Sequence, residues 1–140
     1  MKSLLVPVDG SPNAERAVAF AIRMAKAVQG MQLILLNVQE QLERWYQHGL
    51  ASDSSREHLK QQGQAQSAAA RRLLDESGCP YEFLIIFGKP AETIVQAAKD
   101  HRCSGIVMGT RGLGDVESLF LGSTSFKVVQ LSELPVTLVK

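Results

Sequence analysis

Short apolar runs alternate along this chain with longer stretches in which apolar residues recur at helical spacing. Leu4-Leu5-Val6-Pro7-Val8 is nearly all apolar, the pattern of a strand covered on both faces. It ends at Asp9-Gly10-Ser11-Pro12, where Ser11 suits a helix cap and Pro12 a first helical turn. Ala14, Ala17, Ala21, Ala25 and Val28 then form one stripe, with Val18 and Ile22 beside it, and Gly30 closes the helix. Leu33 to Val38 predicts a second strand. Residues 39 to about 56 have no clean period and read as a long connection. A polar helix from about Arg56 to Ser77 would turn Leu59, Ala65, Ala69, Leu73 and Leu74 inward before Gly78-Cys79-Pro80 ends it.

The alternation continues to the end of the chain. Tyr81 to Phe87 predicts a third strand, and Pro90 to His101 a helix carrying Ala91, Ile94, Val95 and Ala98. Gly105 to Met108 predicts a fourth strand, and Leu113 to Leu121 is ambiguous. Ser123 would cap a last helix with Phe126, Val128 and Val129 as its apolar positions, and Pro135 to Val139 is the fifth strand. Five strands alternating with four helices predict an α/β fold: an open five-stranded, mainly parallel sheet with helices on both faces. No break in composition, repeat or low-complexity tract interrupts the order, so residues 1–140 are expected to form a single domain.

Composition narrows the classes of function. The chain has 140 residues, 45% hydrophobic and 21% charged, enough to build a core without disulfides or metal. Its 15 Lys and Arg against 14 Asp and Glu give a net charge of +1. That balance argues against a nucleic-acid binder, which needs a basic face. No run is long enough for a membrane helix, and the opening apolar stretch is too short for a secretory signal. Cys79 and Cys103 lack any paired or metal-ligand spacing and read as thiols of a reducing cytoplasm.

Ligands of open α/β sheets bind beyond the carboxyl ends of the strands. Three segments fall there: Asp9-Gly10-Ser11, Val38, and the turn from Gly109-Thr110-Arg111-Gly112 to Gly122-Ser123-Thr124-Ser125. Gly109 and Gly112 would allow positive φ and a close backbone approach to a ligand. Gly122-Ser123 stands at a helix start, where unpaired N–H groups and the helix dipole attract anions. Ser123, Thr124 and Ser125 add hydroxyl donors, so two backbone nests could hold phosphates between them. The plainer alternative is that the glycines only turn a strand into a helix. The turn contains neither of the common glycine-rich phosphate loops.

The pattern Gly109-x2-Gly112-x9-Gly122-Ser123 resembles the signature of the ATP-binding branch of the universal stress protein family. Val6-Pro7-Val8-Asp9-Gly10-Ser11, Gly88-Lys89-Pro90-Ala91-Glu92, Val107-Met108-Gly109 and Leu134-Pro135-Val136 agree with it. The resemblance covers the chain apart from about residues 39–65 and implies a Rossmann-like, adenine-nucleotide-binding fold. It implies that Asp9 faces the adenosine part of the nucleotide, and that Val38 lies against adenine. Gly109 and Gly112 would line the ribose and phosphate path, while Gly122, Ser123 and Thr124 would hold phosphates. With Pro7, Val8, Met108, Arg111 and Ser125 these make up the expected cofactor-binding set. For Asp9 the alternative is a carboxylate that satisfies helix-end N–H groups. Family members often carry Lys or Arg between the second and third signature glycines. Here that stretch holds Asp115 and Glu117 and no base, with Arg111 and Lys127 flanking it. A less cationic rim leaves ATP, ADP and AMP, with or without Mg²⁺, as ligands to be distinguished.

The last strand carries a second expectation. Val136, Leu138 and Val139 would leave an apolar open edge, which pairing with a second copy about a two-fold axis would cover. The resemblance likewise implies a homodimer through Pro135 to Val139; a covering loop from residues 39–56 is the alternative. His48, His58, His101 and Arg71-Arg72 read as solvated, and Trp45-Tyr46 as a lid, a partner patch or a locally anchored pair. The leading expectation is a cytoplasmic, dimeric, nucleotide-binding stress-response regulator with an unidentified protein partner and no catalytic residues, in which any ATP hydrolysis is slow. The competing readings are a nucleotide-free dimeric interaction module and an adenylyl-transferring or ATP-hydrolysing enzyme.

Overall fold

A computed structural model of the chain describes residues 2–40, 53–111 and 121–140. Five strands, β1 (Ser3–Pro7), β2 (Gln32–Gln39), β3 (Tyr81–Phe87), β4 (Gly105–Gly109) and β5 (Val136–Val139), form one sheet in the order β3-β2-β1-β4-β5. Every neighbouring pair is parallel, as the alternation predicts. Among the described residues the helices are α1 (Pro12–Ala27), α2 (Asp53–Ser77), α3 (Pro90–Asp100) and α4 (Ser123–Leu131).

The strands are apolar on both sides because both faces are covered. Leu5, Ile34, Leu36, Ile106 and Met108 pack against Ala91, Ile94 and Ala98 of α3 and Val128 of α4. Val6, Leu33, Leu35 and Val107 face the other way, onto Ala14, Ala17, Val18 and Ala21 of α1 and Ala70 and Leu74 of α2. Burying each large aliphatic side chain contributes about 1.5–3 kcal/mol. The alanine stripe brings α1 close to the sheet. Its start is as expected: the Ser11 hydroxyl accepts from the Ala14 N–H at 3.2 Å, and Pro12 occupies the first turn.

Helix α2 departs most from the sequence reading. It begins at Asp53, and its inward stripe is Leu59, Gly63, Ser67, Ala70 and Leu74. Ala65, Ala69 and Leu73 face outward. Leu59 and Leu74 face inward as expected, but over the polar residues at the end of β2 the contact stripe is Gly63, Ser67 and Ala70, of which an apolar count passes over the first two. A Cβ at Gly63 would stand 2.8 Å from Asn37 Oδ1, which sets how near the helix comes. Strand β2 correspondingly runs through Gln39, whose carboxamide finds partners in Asn37 and Gln66.

Smaller differences follow from local geometry. Val8 lies just past β1, although its N–H still donates to the Leu36 carbonyl at 2.8 Å. Ser123 is the first residue of α4 rather than its cap, which is Gly122. Of the expected apolar positions on α4 only Val128 is buried; Phe126 and Val129 are 55% and 45% exposed. A nine-residue helix beside an edge strand has one covered stripe and no more. Two residues read as solvated have partners: His101 Nδ1 lies 3.0 Å from the Ala97 carbonyl, and the Arg71 guanidinium stacks 4.5 Å from the centre of the Phe83 ring. Cys103 is buried and Cys79 half-buried, both as free thiols. Gly112, the ambiguous stretch up to residue 120, and residues 41–52 with Trp45, Tyr46 and His48 lie outside the described residues. No helix among the described residues is long and apolar enough to cross a membrane.

Candidate functional site

The chain leaves β1 toward one edge of the sheet and, after β3, returns to the other side of β1 at β4. Such a switch in direction opens a crevice at the carboxyl ends of the two central strands. Here β1 and β4 are in register at Leu4–Gly105 and Leu5–Ile106, and a cleft of about 200 Å³ lies beyond. Every expected site residue among the described residues lines it, and Gly112 lies outside those residues. Pro7, Val8 and Asp9 come from the end of β1, Val38 from β2, and Met108, Gly109 and Arg111 from β4 and its exit. Gly122, Ser123, Thr124 and Ser125 come from the start of α4.

Ser11, which belongs to a candidate segment but not to the expected set, also lines the cleft, as do Ala14, Pro90 and Ile94, which sequence reasoning missed. The signal for the last two was present, because Pro90 opens α3 at the carboxyl end of β3. Ile94 shares a face of that helix with buried Ala91 and Ala98, so periodicity assigns it to the core. It serves both purposes, closing the core and flooring the cleft.

Gly109 acts differently from the expectation. Gly109 is not among the residues with positive φ. Its missing side chain makes room for α1: a Cβ there would lie 2.8 Å from the backbone carbon of Asn13. Gly10 does need its glycine, with φ +89° in the turn after β1. In that turn an Asp9 carboxylate oxygen accepts the Ser11 N–H at 2.9 Å. The alternative role weighed for Asp9 is therefore partly met, while its side chain still borders the cleft.

The amides around α4 are divided between structure and cleft. Gly122 donates its N–H to the Thr110 carbonyl at 2.7 Å, which closes the signature turn on itself. Thr110 in turn donates its N–H to the Val139 carbonyl at 3.0 Å, and its hydroxyl accepts from Asn13 Nδ2 at 3.0 Å. The first intrahelical bond of α4 runs from the Phe126 N–H to the Gly122 carbonyl. The N–H groups of Ser123, Thr124 and Ser125 therefore precede the helix ladder, at its positive end and on the cleft wall. The Ser125 hydroxyl donates to the Gly109 carbonyl at 2.8 Å and braces the strand end. Ser123 is exposed and Thr124 half-buried.

Charge at the cleft is modest. Lys127 forms an ion pair with Glu92 and holds that carboxyl below the ordinary glutamate range. Among the described lining residues Arg111 is the cation and Asp9 the anion. An anion there would be held by backbone dipoles and hydroxyls more than by formal charge.

The sequence model of the universal stress protein family matches residues 1–140. A universal stress protein of Thermus aquaticus is 39% identical over 140 residues, covering 99% of this chain and 98% of its own. The solved structure of MJ0577, a universal stress protein of Methanocaldococcus jannaschii, superposes with a TM-score of 0.86 at 27% identity, over 99% of this chain and 95% of that one. An Arabidopsis thaliana family member, solved with AMP bound, shares the fold with a TM-score of 0.68 at 24% identity, over 100% and 92% of the two chains. A family match over the full length, with a relative sharing 39% of its residues, means that the chain belongs to the universal stress protein family.

Proposed function

We propose that the cleft binds an adenine nucleotide and that the chain works as a nucleotide-responsive stress regulator rather than as an enzyme. The observation that carries this reading is convergence. The end of β1 with Asp9, the β4 exit with Gly109 and Arg111, and the first-turn amides of α4 meet on one cleft at the switch point of the sheet. Val38, Pro90, Ile94 and Met108 give it an apolar side suited to a planar base, and the α4 terminus gives it an anion-binding end. The AMP described with the Arabidopsis relative supports the same ligand class.

Arg111 is the cation among the described lining residues, and Asp115 and Glu117 follow it in sequence. That balance favours AMP and ADP over uncomplexed ATP. Asp9 is the carboxylate among those lining residues, so Mg²⁺ arriving with ATP would rest mainly on the phosphates.

The regulator would be a homodimer. Strand β5 is an edge of the sheet, Val136 and Leu138 on it are half-buried, and neighbouring α4 leaves Phe126 and Val129 exposed. Antiparallel pairing of β5 with a second copy would satisfy its open backbone groups and cover apolar surface. Two measurements test the reading. Denaturing freshly purified protein and analysing the supernatant by mass spectrometry should release an adenine nucleotide from the wild type and little from Gly122→Val. Light scattering at micromolar concentration should give about twice the chain mass of 15.3 kDa. No nucleotide release together with no thermal shift from ATP, ADP or AMP with Mg²⁺ defeats the binding reading; a mass near 15.3 kDa defeats the dimer.

A further inference from the structure

Behind the turn that carries Asp9, on the sheet face covered by α1 and α2, three side-chain amides are joined by hydrogen bonds. Asn37 Nδ2 donates to the Val8 carbonyl at 2.9 Å and to Gln66 Oε1 at 3.1 Å. Gln39 Nε2 donates to Asn37 Oδ1 at 2.7 Å and to the same Gln66 Oε1 at 3.0 Å. The amino groups of Asn37 and Gln39 thus each use both of their hydrogens, and Gln66 Oε1 uses both of its lone pairs. Asn37 is fully buried and Gln39 nearly so, which gives the set a low-dielectric setting in which its bonds are strong and costly to break.

Gln66 meets the same turn a second time. A Cβ on Gly10 would stand 3.4 Å from the Gln66 carbonyl oxygen and 3.5 Å from its Cα, so the backbone of α2 lies against the glycine beside Asp9. One residue of α2 therefore meets the turn at two points, Val8 through Asn37 and Gly10 by direct packing. Gly63, one helical turn earlier, fixes the distance, since any side chain there would collide with Asn37 Oδ1. The contacts converge on a segment that lines the cleft, whereas Gln66, Asn37 and Gln39 do not line it.

We propose that Gln66 is a positioning residue for the nucleotide, acting through Asn37 and Gly10 to hold the Val8–Ser11 turn, with Asp9 on it, at the cleft. This rests on the cleft being the nucleotide site. It makes the placement of α2 part of the binding equilibrium: a ligand that requires the ordered turn favours the docked helix by the same factor by which docking favours the ligand. What a partner would sense is then the docking of α2.

The test compares the full chain with Gln66→Ala, with Gln66→Glu, which keeps an oxygen acceptor at that position, and with Gln64→Ala on the exposed face of α2. AMP affinity by titration calorimetry should fall about two- to tenfold in Gln66→Ala, the loss expected for one or two net hydrogen bonds. It should return toward wild type in Gln66→Glu and stay unchanged in Gln64→Ala. Without ligand, amide exchange at Ser11, whose N–H is held by Asp9, should be faster in Gln66→Ala than in wild type. Wild-type AMP affinity in Gln66→Ala, or unchanged Ser11 exchange, overturns the proposal. If the wild type binds no AMP while Ser11 exchange still rises in Gln66→Ala, the positioning role stands and the nucleotide reading fails.

Discussion

Asn13 on α1 occupies the space in which a side chain at position 109 would stand. Both its backbone carbon and its Cβ lie 2.8 Å from the position of a Cβ on Gly109. The first signature glycine is thus required by helix packing before any ligand is considered, because α1 could not otherwise approach the end of β4. Gly109→Ala should destabilise the fold by about 1–3 kcal/mol, the usual range for overpacking. The check is the urea midpoint; an unchanged midpoint would mean that α1 yields without cost.

Ser67 sits fully buried on the inner stripe of α2, and among the described residues its hydroxyl has no hydrogen-bond partner. A buried unpaired hydroxyl destabilises, and Ala also has the better helix propensity. Ser67→Ala is expected to raise stability by about 1 kcal/mol. Equilibrium urea unfolding measures it, and a loss of stability would show that the hydroxyl is satisfied in solution.

Cys103 gives a pH signature. Burial pushes its thiol up, and a hydrogen bond from Ser3 opposes this more weakly. A group whose folded pKa is raised contributes stability that is fully present below the unfolded thiol value of about 8.5 and is lost as pH rises through the folded value. Stability should therefore fall above about pH 8.5 in the wild type and fall less in Cys103→Val. Iodoacetamide should label half-buried Cys79 first, and Cys103 only through opening of the fold. Equal labelling rates would contradict this placement.

The Glu92–Lys127 pair joins α3 to α4 on the surface and has the opposite sign. Lys127 lowers the Glu92 pKa, so the contribution is present above the ordinary glutamate value of about 4.3 and is lost as pH falls through the lowered one. Glu92 is exposed, and the effect is small and screened by salt. Wild type and Glu92→Gln should differ slightly in melting temperature at pH 7 and low salt. The difference should shrink as pH falls below the ordinary glutamate value and vanish once the lowered value is passed, and one that persists in the fully protonated state has another origin.

The strand and helix order was legible because a doubly covered parallel sheet gives apolar runs without alternation, as in Leu33 to Leu36 and Ile106 to Met108. Those runs separate cleanly from the alanine stripe of α1. The cleft was legible for a related reason: strand ends are marked by Asp9-Gly10 and Gly109, and topology brings those ends together. What escaped was α2. Its inward face is built on Gly63, Ser67 and Ala70, and its most specific partner is an amide set, so a count of apolar residues chooses Ala65, Ala69 and Leu73 instead. The reason for Gly109 escaped as well. A missing side chain looks the same in sequence whether it admits a ligand or a neighbouring helix.

Titration of AMP into the full chain tests the central claim most directly, because the proposed ligand then meets the proposed cleft with no downstream step between them. Saturable binding of one AMP per chain is expected, abolished or strongly weakened in Gly122→Val, in which a branched side chain stands at the start of α4 beside the anion-binding amides. The contradicting result is a wild type that gives no binding signal with AMP, ADP or ATP, with or without Mg²⁺, or one whose AMP affinity is the same in Gly122→Val.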